Sequence, residues 1–419
     1  MRMRMTCDVL IIGGGIIGVC AAYYCATAGA SVMLIEQSSI CAGCSNGNAG
    51  LIVPSYSIPL PSPGIPRKAL WWLLNPYSPF YVRARADLSL LRWLGLFVQN
   101  CRIQAVRNAI PVIRDLAACS IRLYEEILAS QDVPCNYEHK GALELYVTAS
   151  GLREGRAKAA LLREFGIHSS EMTASAACEL VPAACARTVA GTYYPGDSHL
   201  VPADFVRGLA KKVEKLGARV FSGTRVDSLR IAGDTVSAAV TSAGEILASE
   251  VVIATGAWSS QLLGQLDLCL PLQPAKGYSV TLPASPPLKV EIPLLLHEAK
   301  LAVTPMGDFI RFAGALELAG FNLSINPRRT RRLLQDSRDY LSGIKTPSSV
   351  EAWTGLRPCT PDGLPVIGRF KKFKNLVVAT GHGMLGVTLG PVTGKIVSEM
   401  LFEKASAFDL APLSPMRFA

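Results

Sequence analysis

Three glycines near the N-terminus have the spacing of a phosphate-binding loop. Gly13, Gly15 and Gly18 directly follow the apolar run at residues 7–12 and precede an alanine-rich stretch. In this motif the first glycine permits a tight turn, the second lets the backbone approach a pyrophosphate, and the third lets helix and strand pack closely. The N–H groups at the start of the helix, among them those of Ile16 and Ile17, favour negative charge. The spacing therefore predicts a site for a phosphate-bearing ligand.

A carboxylate follows at the position where such a loop needs one. Residues 31–35 form a second β-branched and apolar run, and Glu36 and Gln37 stand at its end. An acid here can accept hydrogen bonds from the hydroxyls of a ribose. Strand, glycine turn, helix, strand and acid together make a strong dinucleotide signature. They do not decide between a nicotinamide and a flavin nucleotide.

The elements around this loop predict an α/β protein. Further strand-like runs occur at residues 142–147, 191–194, 219–222, 235–241, 251–254 and 376–379. Helical patterns cover residues 103–130, 201–217 and 392–401. A chain of 419 residues is too long for one ordinary core, so two domains that share a cleft are expected.

Composition narrows the class of protein. The chain carries a net charge of +10 and 12 scattered cysteines. No aromatic-basic motif or zinc finger accompanies the charge, so no nucleic-acid partner and no metal site are predicted. Cys41 and Cys44 match redox spacing, but a buried, inert pair is the favoured interpretation. With neither an 18-residue apolar run nor an export signal at the N-terminus, a cytoplasmic location is expected.

Longer motifs resemble one family over nearly the whole chain. They read DVLIIGGGIIG, EQSSICAGCSNGNAGLI, PSPGIPRKALWWL, KGYSVT, RFAGALELAG, WTGLRPCTPDGLPVIG and ATGHGMLGVTLGPVTGK. In this order they resemble the D-amino-acid oxidase superfamily, in particular the bacterial D-amino acid dehydrogenases. The resemblance implies FAD, held non-covalently by a Rossmann-type FAD-binding domain with an inserted, mixed and largely antiparallel sheet as the substrate domain. The expected boundaries are residues 1–90, 195–265 and 345–419 for FAD, and 91–194 and 266–344 for the substrate domain.

The same resemblance implies a wider set of cofactor contacts. Residues after the second strand would wrap the pyrophosphate and the flavin edge: Ser45, Asn46, Asn48, Ala49, Gly50 and Leu51. Val226 would contact adenine through its backbone, and Thr255 and Gly256 would support the nucleotide. The C-terminal loop would pass under the isoalloxazine ring: Gly381, His382, Gly386, Val387 and Thr388. Polarisation of the ring by N–H groups of this loop favours acceptance of hydride.

Three side chains are the candidate catalytic and substrate-binding residues. Arg357 aligns with the carboxylate-binding arginine of related glycine oxidases, and a guanidinium can make two parallel bonds to a carboxylate. Tyr278, expected after a Lys-Gly turn, would contact the carboxylate or amine, although an ordinary sheet tyrosine explains it nearly as well. Tyr56 would close over the substrate from a proline-rich loop, or else lie on the surface.

The implied chemistry is oxidative deamination of a D-amino acid. A hydride would pass from the substrate Cα to flavin N5, and the imine would hydrolyse to a 2-oxo acid and ammonia. Near-attack geometry matters more here than a strong base, so no general base is assigned. D-Proline, D-hydroxyproline or another secondary amine is the alternative substrate, and would give a cyclic imine when the amine is in a ring.

The same fold either reacts with O₂ or passes electrons to a quinone, and the resemblance to the dehydrogenases implies a quinone as the electron acceptor. Residues 63–97 interleave tryptophans and other aromatic residues with arginines, a composition typical of a membrane-interface segment. Peripheral contact with the inner face of the cell membrane would follow, and the positive charge suits an anionic bilayer. A helical flap over the active site explains the segment equally well.

Two hypotheses from other functional classes also remain open. The chain could be the flavin subunit of a multi-subunit dehydrogenase, or else a non-catalytic FAD-binding module or a tRNA-modifying flavoprotein. The absence of additional Cys-x-x-Cys pairs disfavours the first. Arg357 and the KGYSVT strand would have no purpose in the second.

Overall fold

The computed structural model describes residues 4–66, 78, 80–83, 85–184, 187–286, 288–345 and 351–418. Within these ranges the strands, in chain order, are β1 (Arg4–Ile12), β2 (Val32–Ile35), β3 (Leu51–Ile52), β4 (Phe80–Val82), β5 (Ala142–Tyr146), β6 (Ser170–Thr173), β7 (Ala190–Tyr194), β8 (Ser198–His199), β9 (Arg219–Phe221), β10 (Val226–Ala232), β11 (Thr235–Thr241), β12 (Gly244–Ile253), β13 (Gln273–Pro283), β14 (Leu294–Leu296), β15 (Leu301–Met306), β16 (Phe309–Leu318), β17 (Glu351–Cys359), β18 (Val366–Arg369) and β19 (Leu376–Thr380).

The α-helices of the described residues are α1 (Ile16–Thr27), α2 (Leu88–Asn100), α3 (Ile103–Leu128), α4 (Ala149–Glu164), α5 (Ala174–Leu180), α6 (Pro202–Lys215), α7 (Ser259–Gly264), α8 (Pro327–Ser337) and α9 (Gly386–Leu401). Short 3₁₀ turns occur at Pro54–Tyr56, Gly256–Trp258, Ala411–Leu413 and Pro415–Phe418. Among these helices, none has the length and apolar character that crossing a bilayer requires.

The first sheet carries the glycine loop. Its order is β10-β11-β12-β1-β2-β9, with β19 pairing β12 and β18 pairing β19. The central strands β9, β2, β1, β12 and β19 run parallel. They are rich in buried Val, Ile and Leu, as parallel strands covered on both faces are. Helices α1, α6 and α9 pack on one face in a single apolar core. This is the predicted Rossmann-type half.

The second sheet is mixed and largely antiparallel, as expected. Its order is β17-β13-β16-β15-β14-β5-β7-β6, and β4 pairs the far end of β16. Among the strands of the described residues in this sheet, only the pairs β14–β5 and β16–β4 are parallel. A separate core lies beneath it, built by strands β13 to β16 and helix α8. The two-strand ladder of β3 and β8 joins the loop after β2 to the chain before α6.

The predicted domain boundaries remain a prediction, since sheet pairing alone does not define them. Strands β4 and β17 lie within segments predicted for FAD binding, yet they hydrogen-bond in the second sheet. An isolated bridge between Cys359 and His382 links the end of β17 to the loop before α9. The two sheets therefore meet where the sequence predicted both cofactor and substrate contacts.

Helix α9 begins earlier than its sequence indicated. Residues 392–401 were predicted as helix, but the helix starts at Gly386. Pro391 lies inside it and has no N–H to donate to the carbonyl of Val387. That carbonyl instead accepts a 2.6 Å hydrogen bond from the Tyr124 hydroxyl of α3. A tertiary partner thus completes a turn that local propensity alone disfavours.

Candidate active site

The glycine loop has the close backbone contacts that the motif predicts. Gly13 has a φ of +115°, and a Cβ there would lie 2.5 Å from the carbonyl oxygen of Ala254. A Cβ on Gly18 would lie 1.9 Å from the carbonyl oxygen of Gly13. Gly15 caps α1 without a side-chain hydrogen bond, and no acid stands in the first turn. The start of this helix therefore keeps N–H groups and positive dipole for a ligand.

Glu36 lies at the carboxyl end of β2, beside this loop. Its Oε2 accepts the Gly14 N–H at 2.8 Å and its Oε1 accepts the Ser38 N–H at 2.9 Å. The main chain of Thr224 donates to the Glu36 carbonyl at 2.8 Å. These bonds fix the carboxylate at the cavity wall, next to Val226 at the start of β10.

The segment that follows Cys44 is held from the second sheet. Arg311 of β16 donates from Nη1 to the carbonyls of Asn46 and Asn48, both at 2.9 Å. Ser45 Oγ accepts the Ile16 N–H at 3.1 Å, which ties the segment to the first turn of α1. Arg311 is therefore a positioning residue for this loop, and Ser45 connects it to the glycine loop.

The start of α9 forms another wall of the cavity. Gly381 has a φ of +76°, and His382 follows it with only 4% of its surface exposed. Burial lowers the pKa of His382 to about 3, so the imidazole is neutral, and its Nε2 lies 2.9 Å from Thr393 Oγ1. Thr388 donates to the Leu51 carbonyl at 3.0 Å. This loop thereby joins the segment held by Arg311.

These walls enclose one continuous cavity of about 1000 Å³ between the two sheets. Most of the predicted contacts line it: Gly13, Gly15, Ile16, Ile17, Glu36, Gln37, Ser45, Asn48, Ala49, Leu51, Val226, Thr255, Gly256, His382, Gly386, Val387 and Thr388, together with Arg357, Tyr278 and Tyr56. Four others are not among its lining residues: Gly18, Asn46, Gly50 and Gly381. Gly18 and Gly381 instead allow close packing, because a Cβ at either would collide with neighbouring atoms.

The residues present fit an FAD molecule. Two helix N-termini face one cavity, at Gly15 and at Gly386, and neither has a side-chain cap. Such termini bind phosphate and other electron-rich groups through their backbone N–H donors. Glu36 and Val226 would hold the ribose and adenine end, and the start of α9 lines the same cavity as residues of the second sheet. A long, two-part cofactor matches a cavity that extends from one sheet to the other.

Arg357 projects from β17 into the same cavity. Its Nη1 donates to the Ala315 carbonyl at 2.6 Å. Burial lowers the pKa of the guanidinium, which nevertheless stays charged. Among the described side chains no carboxylate forms an ion pair with it. A half-buried cation without an acidic partner is suited to an anionic ligand group.

Two residues that shape this region were missed by the sequence analysis. A Cβ on Gly277 would lie 2.3 Å from Arg357 Cζ, so the guanidinium lies flat against bare backbone. Trp353 lines the cavity and packs where Cβ atoms on Gly47 and Gly355 would collide with its ring. The predicted Lys-Gly turn is wrong, because Lys276 and Gly277 belong to the continuous strand β13. These contacts could have been predicted only from the pairing and register of the strands. The sequence alone does not give that information.

Tyr278 has a protein partner for its hydroxyl. The ring lines the cavity, but the residue is 1% exposed and its hydroxyl donates to Glu317 Oε2 at 2.9 Å. Lys276 and Arg329 approach the same carboxylate at 3.7 and 3.4 Å. Burial raises the pKa of Tyr278, so the phenol stays protonated. This geometry favours a role in supporting the sheet behind Arg357, and the predicted substrate contact stays a prediction.

Tyr56 lies at the cavity in the 3₁₀ turn Pro54–Tyr56. The turn is anchored by Ser55, whose N–H and hydroxyl donate to Asp197 at 3.1 and 2.5 Å. Lys158 Nζ lies 5.7 Å from the centre of the Tyr56 ring. Tyr56 thus lines the cavity from a fixed turn rather than an open surface loop, and its predicted contact with the substrate stays a prediction.

Cys41 and Cys44 are both free thiols. Burial raises the pKa of Cys41 to about 12 and also raises the pKa of Cys44. A thiolate is required for redox exchange, so these values favour the inert interpretation.

Comparison with known proteins agrees with this geometry. Residues 8–400 match the family model described as DAO, FAD dependent oxidoreductase. A D-amino acid dehydrogenase of Cereibacter sphaeroides is 33% identical over 416 residues, covering 98% of this chain and 95% of the relative. One of Methylobacterium nodulans is 33% identical over 421 residues, covering 98% and 99%.

Solved structures show the same fold. A glycine oxidase from Geobacillus kaustophilus superposes with a TM-score of 0.80 at 24% identity, covering 99% of each chain. An L-proline dehydrogenase from P. horikoshii superposes with a TM-score of 0.77 at 18% identity, covering 99% of this chain and 98% of that one.

Proposed function

This chain belongs to the DAO family of FAD-dependent oxidoreductases, and from that premise we propose that it oxidises a D-amino acid at Cα. The family and the curated relatives establish an FAD-dependent oxidoreductase of the amino acid dehydrogenase and oxidase type. The D configuration is supported by what those relatives are called. The observation that carries the proposal is Arg357, a cation on the cavity wall without an acidic partner among the described residues.

In the proposed mechanism, the chain's own residues mainly bind and orient. Arg357 holds the substrate carboxylate through two parallel bonds, which fixes the direction of the Cα–H bond. Tyr56 closes one side of the cavity, and Trp353 with the backbone of Gly277 closes the side behind the guanidinium. Bound FAD would supply the hydride acceptor for this oxidation. The buried and neutral His382 is not assigned a proton transfer.

The product follows from the type of amine. A primary amine that loses a hydride from Cα and a proton from nitrogen becomes an imine, which water hydrolyses to a 2-oxo acid and ammonia. A secondary amine in a ring, such as D-proline or D-hydroxyproline, gives a cyclic imine. This second candidate is favoured by the structural similarity to an L-proline dehydrogenase. A role as the flavin subunit of a larger dehydrogenase is the remaining alternative.

We also propose that a quinone is the electron acceptor and that the protein contacts the inner face of the cell membrane. In the predicted interface segment 63–97, residues 67–77, 79 and 84 lie outside the described residues. The described helix α2 exposes Leu88 and Leu91, at 84% and 60% of their surface. Exposed leucines beside basic residues support contact with a lipid surface.

The proposed function is tested by anaerobic bleaching of the purified yellow protein. Addition of D-amino acids is expected to reduce the flavin rapidly, whereas the L enantiomers leave it oxidised. Reoxidation should be fast with a soluble quinone analogue and slow in air. Cyclic D-imino acids in the same panel distinguish the second candidate. If no amino acid of either series bleaches the flavin, the proposed substrate class is wrong.

Arg357→Ala provides the matched variant. Loss of the charged contact is expected to raise the activation free energy by about 2–4 kcal/mol. This lowers kcat/KM roughly 30- to 1000-fold, with FAD still bound. Arg357→Lys keeps the charge but loses the planar fork, and should fall between wild type and Ala. Unchanged turnover in Arg357→Ala would contradict the assigned role.

A further inference from the structure

The cavity has a second charged wall, formed by Glu144 of β5, Lys158 of α4 and His297, which follows β14. Lys158 Nζ lies 2.9 Å from Glu144 Oε2, and His297 Nδ1 lies 2.7 Å from Glu144 Oε1. The Glu144 and His297 side chains are 5% and 8% exposed, and that of Lys158 is 18% exposed. These three side chains, here called the Glu144 cluster, are not used by the mechanism proposed above.

The Glu144 cluster contains a true ion pair. Burial on its own would raise the pKa of Glu144, but the Lys158 charge and the bonds from His297 and Lys158 hold it at about 2. Burial on its own would lower the pKa of Lys158, but the Glu144 charge outweighs it and the pKa is raised. A buried ion pair adds little net stability compared with apolar side chains of similar size. Its position on a cavity wall therefore points to a ligand.

Lys158 supplies the free donors of this cluster, while His297 Nε2 lies 3.7 Å from Glu154 Oε2 on the same wall. Both oxygens of Glu144 already have partners. The Lys158 ammonium has three N–H groups and no acceptor, and one of them is directed to Glu144. The others face the rings of Tyr56 and Tyr194, at 5.7 and 5.4 Å, and the cavity. This wall consequently suits a ligand group that accepts hydrogen bonds.

Tyr56 lines the same cavity as Lys158 and Arg357, and its ring lies 5.7 Å from Lys158 Nζ. Burial raises the pKa of the Tyr56 phenol, and the charges of Lys158 and Arg357 both oppose that rise. Both cations are therefore close enough to act on the same phenol. A substrate whose carboxylate binds Arg357 would extend its side chain past Tyr56 toward Lys158.

We infer that Lys158, held in place by Glu144 and His297, selects amino acids whose side chain ends in a hydrogen-bond acceptor. The inference rests on the proposed function, because it requires the substrate carboxylate to bind Arg357. A site built to hydrogen-bond a substrate group discriminates strongly against an analogue without that group, since its own polar atoms are then left without partners. Lys158 is thus a specificity-determining residue.

The wild-type holoenzyme is tested first with two pairs of substrates of similar size. Asparagine is compared with leucine, and glutamine with methionine, in the enantiomeric series that bleaches the flavin. The kcat/KM of the acceptor-bearing substrate is expected to be about 10- to 100-fold higher in at least one pair, as a charged hydrogen bond provides. Turnover without preference in both pairs overturns this inference and leaves the proposed function intact. Absence of turnover with every amino acid overturns both.

The double variant Lys158→Met with Glu144→Gln tests the residue itself. It removes both charges together, so no buried carboxylate is left unpaired. The preference within each pair is expected to fall to near 1, through loss of kcat/KM for the acceptor-bearing substrate. Lys211→Met, at an exposed position of α6, is the control and should keep the wild-type ratio. FAD content and Tm are measured for each protein, and a folded, FAD-bound double variant that keeps the wild-type preference would refute the assignment.

Discussion

The position of Arg357, the proposed carboxylate-binding residue, depends on the missing side chain of Gly277. Arg357 can lie against β13 because Gly277, two residues along that strand from its register partner Ala275, has no Cβ. The guanidinium is thereby fixed in direction, with one N–H directed to the Ala315 carbonyl. A planar cation held on one face keeps its other N–H groups for a ligand carboxylate.

Gly277→Ala is expected to displace the guanidinium without removing it. The new Cβ would lie 2.3 Å from Arg357 Cζ, so the arginine must rotate away. KM for the amino acid should rise about tenfold, since a misplaced contact of this kind costs at least 1.4 kcal/mol, and FAD content should stay at the wild-type level. Steady-state kinetics and the flavin absorbance measure the two effects.

Gly95→Ala in α2 is the matched control. Nothing lies within 4 Å of its Cβ position, and Gly95 does not line the cavity. Its kinetics should match the wild type. An unchanged KM in Gly277→Ala would show that the arginine has room to adjust.

Single residues at the cavity wall were predictable where the residue type itself suggests a ligand group. Arg357 was found because an amino acid needs a fixed cation, and Glu36 because a ribose needs an acceptor. Gly277, Trp353 and Lys158 were not found. Their roles depend on which strands pair and in which register, and that information is not local in sequence.

At the level of elements, the first and last helices of the Rossmann-type half pack unusually closely. A Cβ on Gly394 of α9 would lie 2.5 Å from the main-chain carbon of Cys20 in α1. A Cβ on Gly390 would lie 2.9 Å from the Ile16 side chain. Both helices begin at the cavity, so their contact sets the spacing of the two N-terminal sites.

Gly394→Ala is expected to force these helices apart. Its clash is with backbone, which cannot move independently, so about 1–3 kcal/mol of stability should be lost together with part of the bound FAD. Thermal unfolding and FAD content after gel filtration measure this. Gly390→Ala, which meets only side-chain atoms, should have a smaller effect. Equal effects of the two variants would contradict the backbone argument.

The elements with strong periodicity were predicted, and those shaped by tertiary partners were not. The unit β1, α1 and β2 follows from its glycines and apolar runs. The start of α9 was placed too late, because Gly386, Gly390 and Pro391 lower helix propensity. The Tyr124 hydroxyl of α3 donates the hydrogen bond that the Val387 carbonyl lacks within the helix, and no local sequence pattern indicates this contact.

For the whole molecule, one buried acid links stability to pH. Asp197 is 1% exposed, and burial raises its pKa to about 7, whereas an unfolded aspartate titrates near 3.9. The folded state therefore holds a proton that the unfolded state has lost. Stability from this group is complete below about pH 4 and is lost as the pH rises through 7.

Asp197→Asn is expected to remove this dependence. Relative to the variant, the wild type should lose about 2 kcal/mol of stability between pH 5.5 and pH 8. Thermal unfolding at the two pH values measures the difference. The exposed Asp308→Asn serves as control and should run parallel to the wild type. Parallel Tm curves for Asp197→Asn would mean that Asp197 is ionised throughout.

The proposed membrane contact is also a property of the whole molecule. Replacement of Leu88 and Leu91 by glutamate is expected to lower binding to anionic vesicles at least tenfold, because about 1.5 kcal/mol or more of apolar burial is lost. Vesicle flotation measures it. Ile231→Glu, at an exposed apolar position on β10, is the control. Equal flotation of all proteins would exclude α2 as the contact.

The order of the second sheet has a consequence for how substrate range can change. Arg357 lies on β17 at one edge, and Glu144 lies on β5, with β13, β16, β15 and β14 between them. The distance between Arg357, the proposed carboxylate-binding residue, and Lys158, the proposed specificity-determining residue, is thus set by the curvature of five successive strand pairs. An inserted bulge in the hairpin of β14 and β15 would lengthen or shorten that distance while both residues are kept. Homologues with identical residues at both ends can therefore accept substrates of different length.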